Sequence, residues 1–260
     1  MLYKILKNYT LQDALNIENN DRQFLAYKNL YENKSFSDED YLFLILQNAL
    51  ISFQLSWKGE DYHEEFCFEV RREFRRGQKR EKGLERKNLV WAWNGLDLGE
   101  TKIQDNMINF YKFFEYFLKN CKNNRRFVDM KLKRIEKSLD FYDKFSQNIE
   151  FYYKNMDKLA EDLAKIMNQK KDAKTIVFAV KLFSYWARNI FWYVEKFPEN
   201  LMIPIDSRLE NLYKKSTWKE KFTKKEIKQF YIDLSKQLNI PLLHLDAILW
   251  VNYDKILKTL

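Results

Sequence analysis

Apolar residues recur every three or four positions along almost the whole chain, the spacing that marks one buried face of an α-helix. From Thr10 onward Leu11, Leu15, Phe24, Tyr27, Leu30 and Tyr31 follow it. Ser37 supplies an N-cap, with Asp38, Glu39 and Asp40 in the turn it opens, where the helix dipole favours negative charge. The run that follows, YLFLILQNALISFQL, is apolar nearly all round and predicts a buried central helix. Helices are also predicted through MINFYKFFEYFLKN and through NNRRFVDMKLKRIEKSLDFYDKF, the latter basic on one side and apolar on the other. MDKLAEDLAKIM at 156–167 is a compact amphipathic helix. A short polar hairpin, NQKKDA, then leads into a strongly apolar helix, AKTIVFAVKLFSYWARNIFWYV at 173–194. The chain turns after Phe197-Pro198, reaches Ile203-Pro204-Ile205-Asp206 and enters another helix, SRLENLYKK. Pro241 opens the last one, PLLHLDAILWVNYDKIL. There is no internal repeat.

Composition sharpens this pattern to an all-α fold. Only 5 glycines and 3 prolines among 260 residues leave little tight-turn chemistry, so long helices joined by short polar links are the economical architecture. The same scarcity excludes nucleotide sites built on glycine-rich loops, since neither GxGxxG nor a P-loop is present. A net charge of +9 suggests a polyanionic partner. It is densest at residues 70–88, with nine basic and three acidic side chains, which read either as a solvated helix or loop or as a phosphate-contacting surface. VWAWNG at 90–95 is an aromatic cluster before a glycine-bearing turn. Cys67 and Cys121 stand far apart with no CxxC, so no disulfide framework, zinc site or four-cysteine iron–sulfur cluster can be built from them. His63 and His244 leave little room for a metal centre and are expected to be structural. The N-terminus lacks the continuous apolar core of a signal peptide, and no stretch is long and apolar enough to span a bilayer. The expectation is a cytoplasmic protein with reduced thiols and no membrane partner.

The segment from 156 to 206 carries the candidate chemistry. Lys174 lies in the first turn of an otherwise apolar helix. The positive end of the helix dipole and apolar neighbours both disfavour an ammonium there and favour the neutral, nucleophilic amine. Asp206 precedes the next helix as a natural N-cap, where the dipole favours its ionised form. An ionised carboxylate can stabilise positive charge developing on a sugar ring as a base departs. The separation of 32 residues leaves room for one helix and a return, which could bring both helix starts to one cleft. Against this stand bland readings: lysine is mostly a solvated surface residue, and Asp206 could simply cap.

QNALISFQLSWKGEDYHEEF (47–66), AKTIVFAVKLF (173–183), IPIDSRL (203–209) and HLDAILW (244–250) resemble the archaeal 8-oxoguanine DNA glycosylases (AGOG), of the helix–hairpin–helix DNA glycosylase superfamily. The resemblance runs from about residue 40 to the end and is most specific in KTIVFAVK and IPID. It implies an all-α, two-lobed architecture with the active site in the cleft between lobes. Over 1–260 the expected lobes are 40–190, carrying the hairpin at 156–194, and 1–39 plus 191–260. It also implies that Lys174 is a Schiff-base nucleophile and Asp206 the second catalytic residue. One departure is that the usual superfamily hairpin is glycine-rich, whereas NQKKDA has no glycine.

On this resemblance the chain is a bifunctional DNA N-glycosylase and abasic-site lyase. It would flip 8-oxoguanine out of the duplex, excise it and cut the strand by β-elimination, with no cofactor and no metal. Phe178, four residues after Lys174 and on its helix face, is a candidate stacking surface for the flipped base. Trp250 would form the opposite face, with Asp246 one turn before it contacting the base. By resemblance alone, Gln54 (read as lying in the buried central helix) and Trp91 or Trp93 close the pocket. Lys181, seven residues past Lys174, is the alternative nucleophile. The implied partner is damaged DNA, met by a nucleoid-associated monomer. Two other readings stay open: a non-catalytic helical nucleic-acid-binding protein that keeps this fold, and a helical scaffold with no DNA role.

Overall fold

The computed structural model describes residues 1–32, 37–81 and 102–260, the side chains of 74–81 and 102–109 excepted. Every regular element among the described residues is a helix. In chain order the first eight are α1 Leu2–Leu6, α2 Leu11–Asn19, α3 Arg22–Tyr31, α4 Asp38–Ile51, α5 Gly59–Glu81, α6 Lys102–Asn120, α7 Val128–Leu139 and α8 Tyr142–Ser146. The other seven are α9 Ile149–Lys154, α10 Met156–Ile166, α11 Lys174–Phe191, α12 Ser207–Thr217, α13 Lys224–Leu238, α14 Leu242–Val251 and α15 Tyr253–Thr259. The VWAWNG cluster with Trp91 and Trp93, like the part of the basic run after Glu81, lies outside the described residues.

Packing divides the chain into two compact units, Met1–Asp21 with Glu150–Leu260, and Arg22–Ile149. This differs from the expected lobe boundaries. Residues 150–190, with the hairpin, group with both chain termini, and residues 22–39 group with the segment that follows them.

In the Arg22–Ile149 unit, α3 packs on α5, α4 on α7 and α8, and α6 on α7. Ser37 caps α4 by accepting a hydrogen bond from the Asp40 amide, as its position predicted. Every residue of α4 from Asp40 to Ile51 is buried. Aromatic residues, 17% of the chain, fill this interior: Phe43 meets Phe110, Tyr142 and Phe145, and Phe66 meets Phe113, Phe114 and Phe117. Two of the polar residues inside this apolar helix, Asn48 and Asp40, are matched by tyrosine partners. Asn48 donates to the Tyr27 hydroxyl at 2.7 Å and accepts from Tyr62 at 2.5 Å, and the Asp40 carboxylate accepts from Tyr142 at 2.5 Å. Such satisfaction is what makes buried polar groups tolerable. His63 joins this cluster through Tyr27, 3.0 Å away, and burial pushes its imidazole down to about 3, so it is neutral and structural.

In the other unit, α10 and α11 pack as a helical hairpin, α2 lies on α14, and α12 contacts α13 and α15. Met156, Leu159, Ala160, Leu163 and Ala164 form the buried face of α10. The glycine-free turn after α10 is explained by Asn168, whose φ of 50° places it in the left-handed region. The Gln169 amide donates to the Ala164 carbonyl at 2.8 Å and the Asn168 amide to Lys165 at 3.2 Å. This is a complete Schellman closure, with asparagine in the place glycine usually takes. α11 is buried over most of its length, as its composition predicted, and ends where Trp192 turns left-handed.

Two predicted helices are interrupted. The 123–145 stretch breaks at Asp140–Phe141 between α7 and α8, and the last helix breaks at Asn252, whose side chain donates to the Ile248 carbonyl at 3.0 Å. An asparagine amide that bonds a backbone carbonyl one turn back competes with continuation of the helix.

Candidate active site

Lys174 is the first residue of α11, as expected, but its side chain is exposed. Burial in this helix begins at Ile176, two residues further on. Ala173 precedes it and offers no side-chain cap. Phe178, one turn on, is half-buried.

Asp206 is the N-cap of α12. Its Oδ1 accepts from the amides of Arg208 and Leu209, both at 3.1 Å. Both bonds fall on one oxygen, so capping fixes the orientation of the carboxylate and leaves Oδ2 without a hydrogen bond among the described residues.

Asp246 is a charged residue on the apolar helix α14, a place that demands a partner. Its partner is Lys181: Nζ stands 2.5 Å from Oδ2, and the two side chains are only 12% and 16% exposed. Burial alone pushes the Lys181 ammonium down, but the charge and hydrogen bond of Asp246 override it, and the net displacement is upward. Lys181 is therefore a charged, paired lysine, which removes it as an alternative nucleophile.

Trp250, one turn after Asp246, is 43% exposed, and the Arg208 guanidinium lies 3.9 Å from its ring centroid. Arg208 also approaches Tyr253, whose hydroxyl accepts from Asn211 at 2.8 Å. These interactions bind α12 to α14 and α15, as Lys181–Asp246 binds α11 to α14. Tyr231 marks the same meeting point: burial first, then the carboxylates of Asp206 and Asp246, push its hydroxyl upward. Lys174 lies seven residues before Lys181 on α11, about 10 Å along the axis and close to the same face.

Behind these residues lies a buried ionic cluster not anticipated from the sequence. Glu18 of α2 receives Arg188 at 2.6 Å and the His244 Nδ1 at 2.8 Å. It joins the helices that carry Lys174 and Asp246, and gives His244 the structural place expected of it. Nothing in local spacing links residues 18, 188 and 244.

Gln54 is a correction. It does not lie in the buried central helix, because α4 ends at Ile51. It is exposed in the loop beyond, with φ of 49°. It belongs to the Arg22–Ile149 unit, whereas Lys174, Phe178, Lys181, Asp206, Asp246 and Trp250 all belong to the other. Among the described residues no group of acidic, histidine or cysteine side chains could hold a metal ion, and no helix is long and apolar enough to cross a membrane.

The helical architecture matches a solved structure, the 8-oxoguanosine complex of the 8-oxoguanine DNA glycosylase from Pyrobaculum aerophilum. The TM-score is 0.67 at 22% identity, over 97% of this chain and 86% of that one. The fold is thus that of an all-helical DNA glycosylase. The N-glycosylase/DNA lyase family model matches residues 3–259. The N-glycosylase/DNA lyase of Nanoarchaeum equitans is 36% identical over 250 residues, 96% of this chain and 88% of the relative. That of Methanococcus maripaludis is 32% identical over 251 residues, 96% and 85% of the two. The chain belongs to the AGOG family of N-glycosylase/DNA lyases.

Proposed function

We propose that this enzyme excises 8-oxoguanine from DNA and then cuts the strand, with Lys174 as nucleophile and Asp206 as the carboxylate that supports the transition state. Support comes from one arrangement: an exposed amine and an oriented carboxylate each open a helix of the same unit, and both helices are tied to α14, which carries Asp246 and Trp250. Nζ of Lys174 attacks C1′ of the deoxyribose. The bond from C1′ to the purine nitrogen breaks, its electrons leave with the base, and the base takes up a proton. Asp206 stabilises the positive charge that builds on the sugar as this bond stretches. The adduct opens by breaking the bond from C1′ to the ring oxygen, giving a Schiff base. Loss of a proton from C2′ then expels the 3′ phosphate by β-elimination.

The flipped base stacks on Phe178 and Trp250. Asp246, its Oδ2 held by Lys181, offers Oδ1 to the N7–H that 8-oxoguanine has and guanine lacks. A site built around that hydrogen bond rejects the undamaged base, whose N7 would face an acceptor. Gln54, Trp91 and Trp93 keep only the role that the family resemblance gives them. The hairpin holds a backbone phosphate at the start of α11, with the exposed Lys170 beside it. The protein acts as a monomer on nucleoid DNA.

Borohydride reduction tests this reading. Wild-type protein becomes covalently trapped on duplex containing 8-oxoguanine, and Lys174→Gln is not trapped while still binding that duplex. Trapping that persists in Lys174→Gln refutes the assignment, and no trapping by wild type on any oxidised-purine duplex refutes the activity.

A further inference from the structure

A closed circuit of contacts runs through α2, α11 and α14, all within the unit that carries Lys174. Lys181, Tyr185 and Arg188 follow one another at four- and three-residue spacings, so they form one stripe of α11. Lys181 pairs with Asp246, and its Nζ lies 5.8 Å from the centre of the Tyr185 ring. The Arg188 guanidinium lies 5.0 Å from the same centre. Arg188 then reaches α2, where Nη1 donates to the Glu18 carboxylate at 2.6 Å and Nη2 to the Asn19 side chain at 2.8 Å. The other Glu18 oxygen stands 2.8 Å from His244 Nδ1. The carboxylate opposite can only accept, so Nδ1 carries the proton. His244 returns the circuit to α14, two residues before Asp246.

Two positions along a helix turn it by about 200°, so His244 and Asp246 leave α14 on different sides. Lys181 holds one side and Glu18 holds the other. Glu18 is 1% exposed, and its two oxygens tie α11 and α14 in a single step. Its charge also reaches the Lys181 pair: burial opposes the Lys181 ammonium, Asp246 favours it most, and Glu18 and Asp21 add to that effect. Buried ion pairs give little net stability over apolar packing, so stability alone does not account for a carboxylate shared between two helices.

We infer that Glu18 is a positioning residue for base recognition: by holding Arg188 and His244 together it sets the register in which Lys181 presents Asp246 to the flipped purine. The inference rests on the reading of Asp246 as the group that meets N7–H. Recognition by one acceptor is sensitive to small displacements, since a misplacement of about 1 Å costs roughly a hundredfold in rate.

The test compares two variants of the same shape at one arm of the circuit. His244→Asn keeps a nitrogen donor close to the place of Nδ1, and His244→Leu lacks it. Both lose the ring that packs on Phe197, 4.5 Å away, so both should melt below wild type. Rates are read where both are fully folded by circular dichroism. Single-turnover excision of 8-oxoguanine should fall about ten- to a hundredfold in His244→Leu and stay within about threefold of wild type in His244→Asn. Cleavage at a preformed abasic site should stay within about twofold of wild type in both, because that step recognises no base. Glu18→Gln leaves the Arg188 guanidinium without its counter-charge, so the His244 variants carry the test.

Coupling to Asp246 supplies the readout that a merely structural role would not move. In an Asp246→Asn background the acceptor is already lost, and His244→Leu should lower excision no further. Equal fold-losses in the two backgrounds overturn the inference. So does equal excision by His244→Leu and His244→Asn, or a fall in abasic-site cleavage as large as the fall in excision. If Asp246→Asn excises as wild type does, the base-recognition reading has failed first; if it is impaired while His244→Leu is not, only the role of Glu18 fails.

Discussion

The pairing of Lys181 with Asp246 makes a quantitative prediction. The two groups are 2.5 Å apart and nearly buried, at 12% and 16% exposure, so each is held in a site it could not occupy alone. Asp246→Asn leaves an ammonium in that site without its counter-charge, and Lys181→Met leaves a carboxylate. Breaking a buried pair from one side costs about 3–5 kcal/mol. For a domain of this size that corresponds to a fall in Tm of about 6–20 °C. Removing both charges, as Lys181→Met/Asp246→Asn, leaves no orphan charge and should cost no more than either single change. The double-mutant cycle should therefore show a coupling of at least about 3 kcal/mol.

The assay is thermal or urea unfolding of the four proteins at neutral pH. The wild-type advantage over Lys181→Met should hold up to the ordinary lysine range near pH ~10.4 and fade as pH climbs through the higher pKa of the folded protein. Additive losses, with a coupling below about 0.5 kcal/mol, would show that the pair is not the unit described here. Activity gives a second readout. Excision of 8-oxoguanine should suffer in Asp246→Asn far more than cleavage at a preformed abasic site, because only the first step must recognise a base.

Three further outcomes are expected. Asp206→Ser keeps a good N-cap for α12 and removes the carboxylate, so stability should stay within about 0.5 kcal/mol of wild type while single-turnover excision collapses; retained excision would make Asp206 a cap and nothing more. Asn168→Gly should be neutral to slightly stabilising and Asn168→Ala destabilising by about 1 kcal/mol in urea melts, since the residue closes the hairpin with a left-handed backbone; equal behaviour of the two would sink the closure described for that turn. His63 is neutral and buried, its imidazole down at about 3, so its contribution is complete above the ordinary histidine range and is lost as pH falls below about 6.5. The loss should amount to at most about 1.4 kcal/mol per pH unit. It should be absent from the acid limb of His63→Gln, and a wild-type limb superimposable on that of the variant would contradict the assignment.

Much of this protein was legible as a string. Helix starts are local events: Ser37, Asp206 and the acidic first turn of α4 act on amides two or three residues away, so the residue types alone located them. The burial of α4 and α11 followed from apolar residues on every side, and the places of Lys174 and Asp206 at two helix openings followed from the same local code. Tertiary structure decided everything that depends on which faces meet. The pairings of Asp246 with Lys181, 65 residues away, of Trp250 with Arg208, and of Glu18 with Arg188 and His244 arise only once whole helices have packed. The same is true of the solvent exposure of Lys174, of the position of Gln54 beyond the end of its helix, and of the grouping of the hairpin with both termini. Hydrophobic periodicity says that a face is buried, not against what. The partner is chosen by the packing of the whole unit, where apolar burial is non-directional and the few buried charges, costly when unpaired, select the arrangement that matches them.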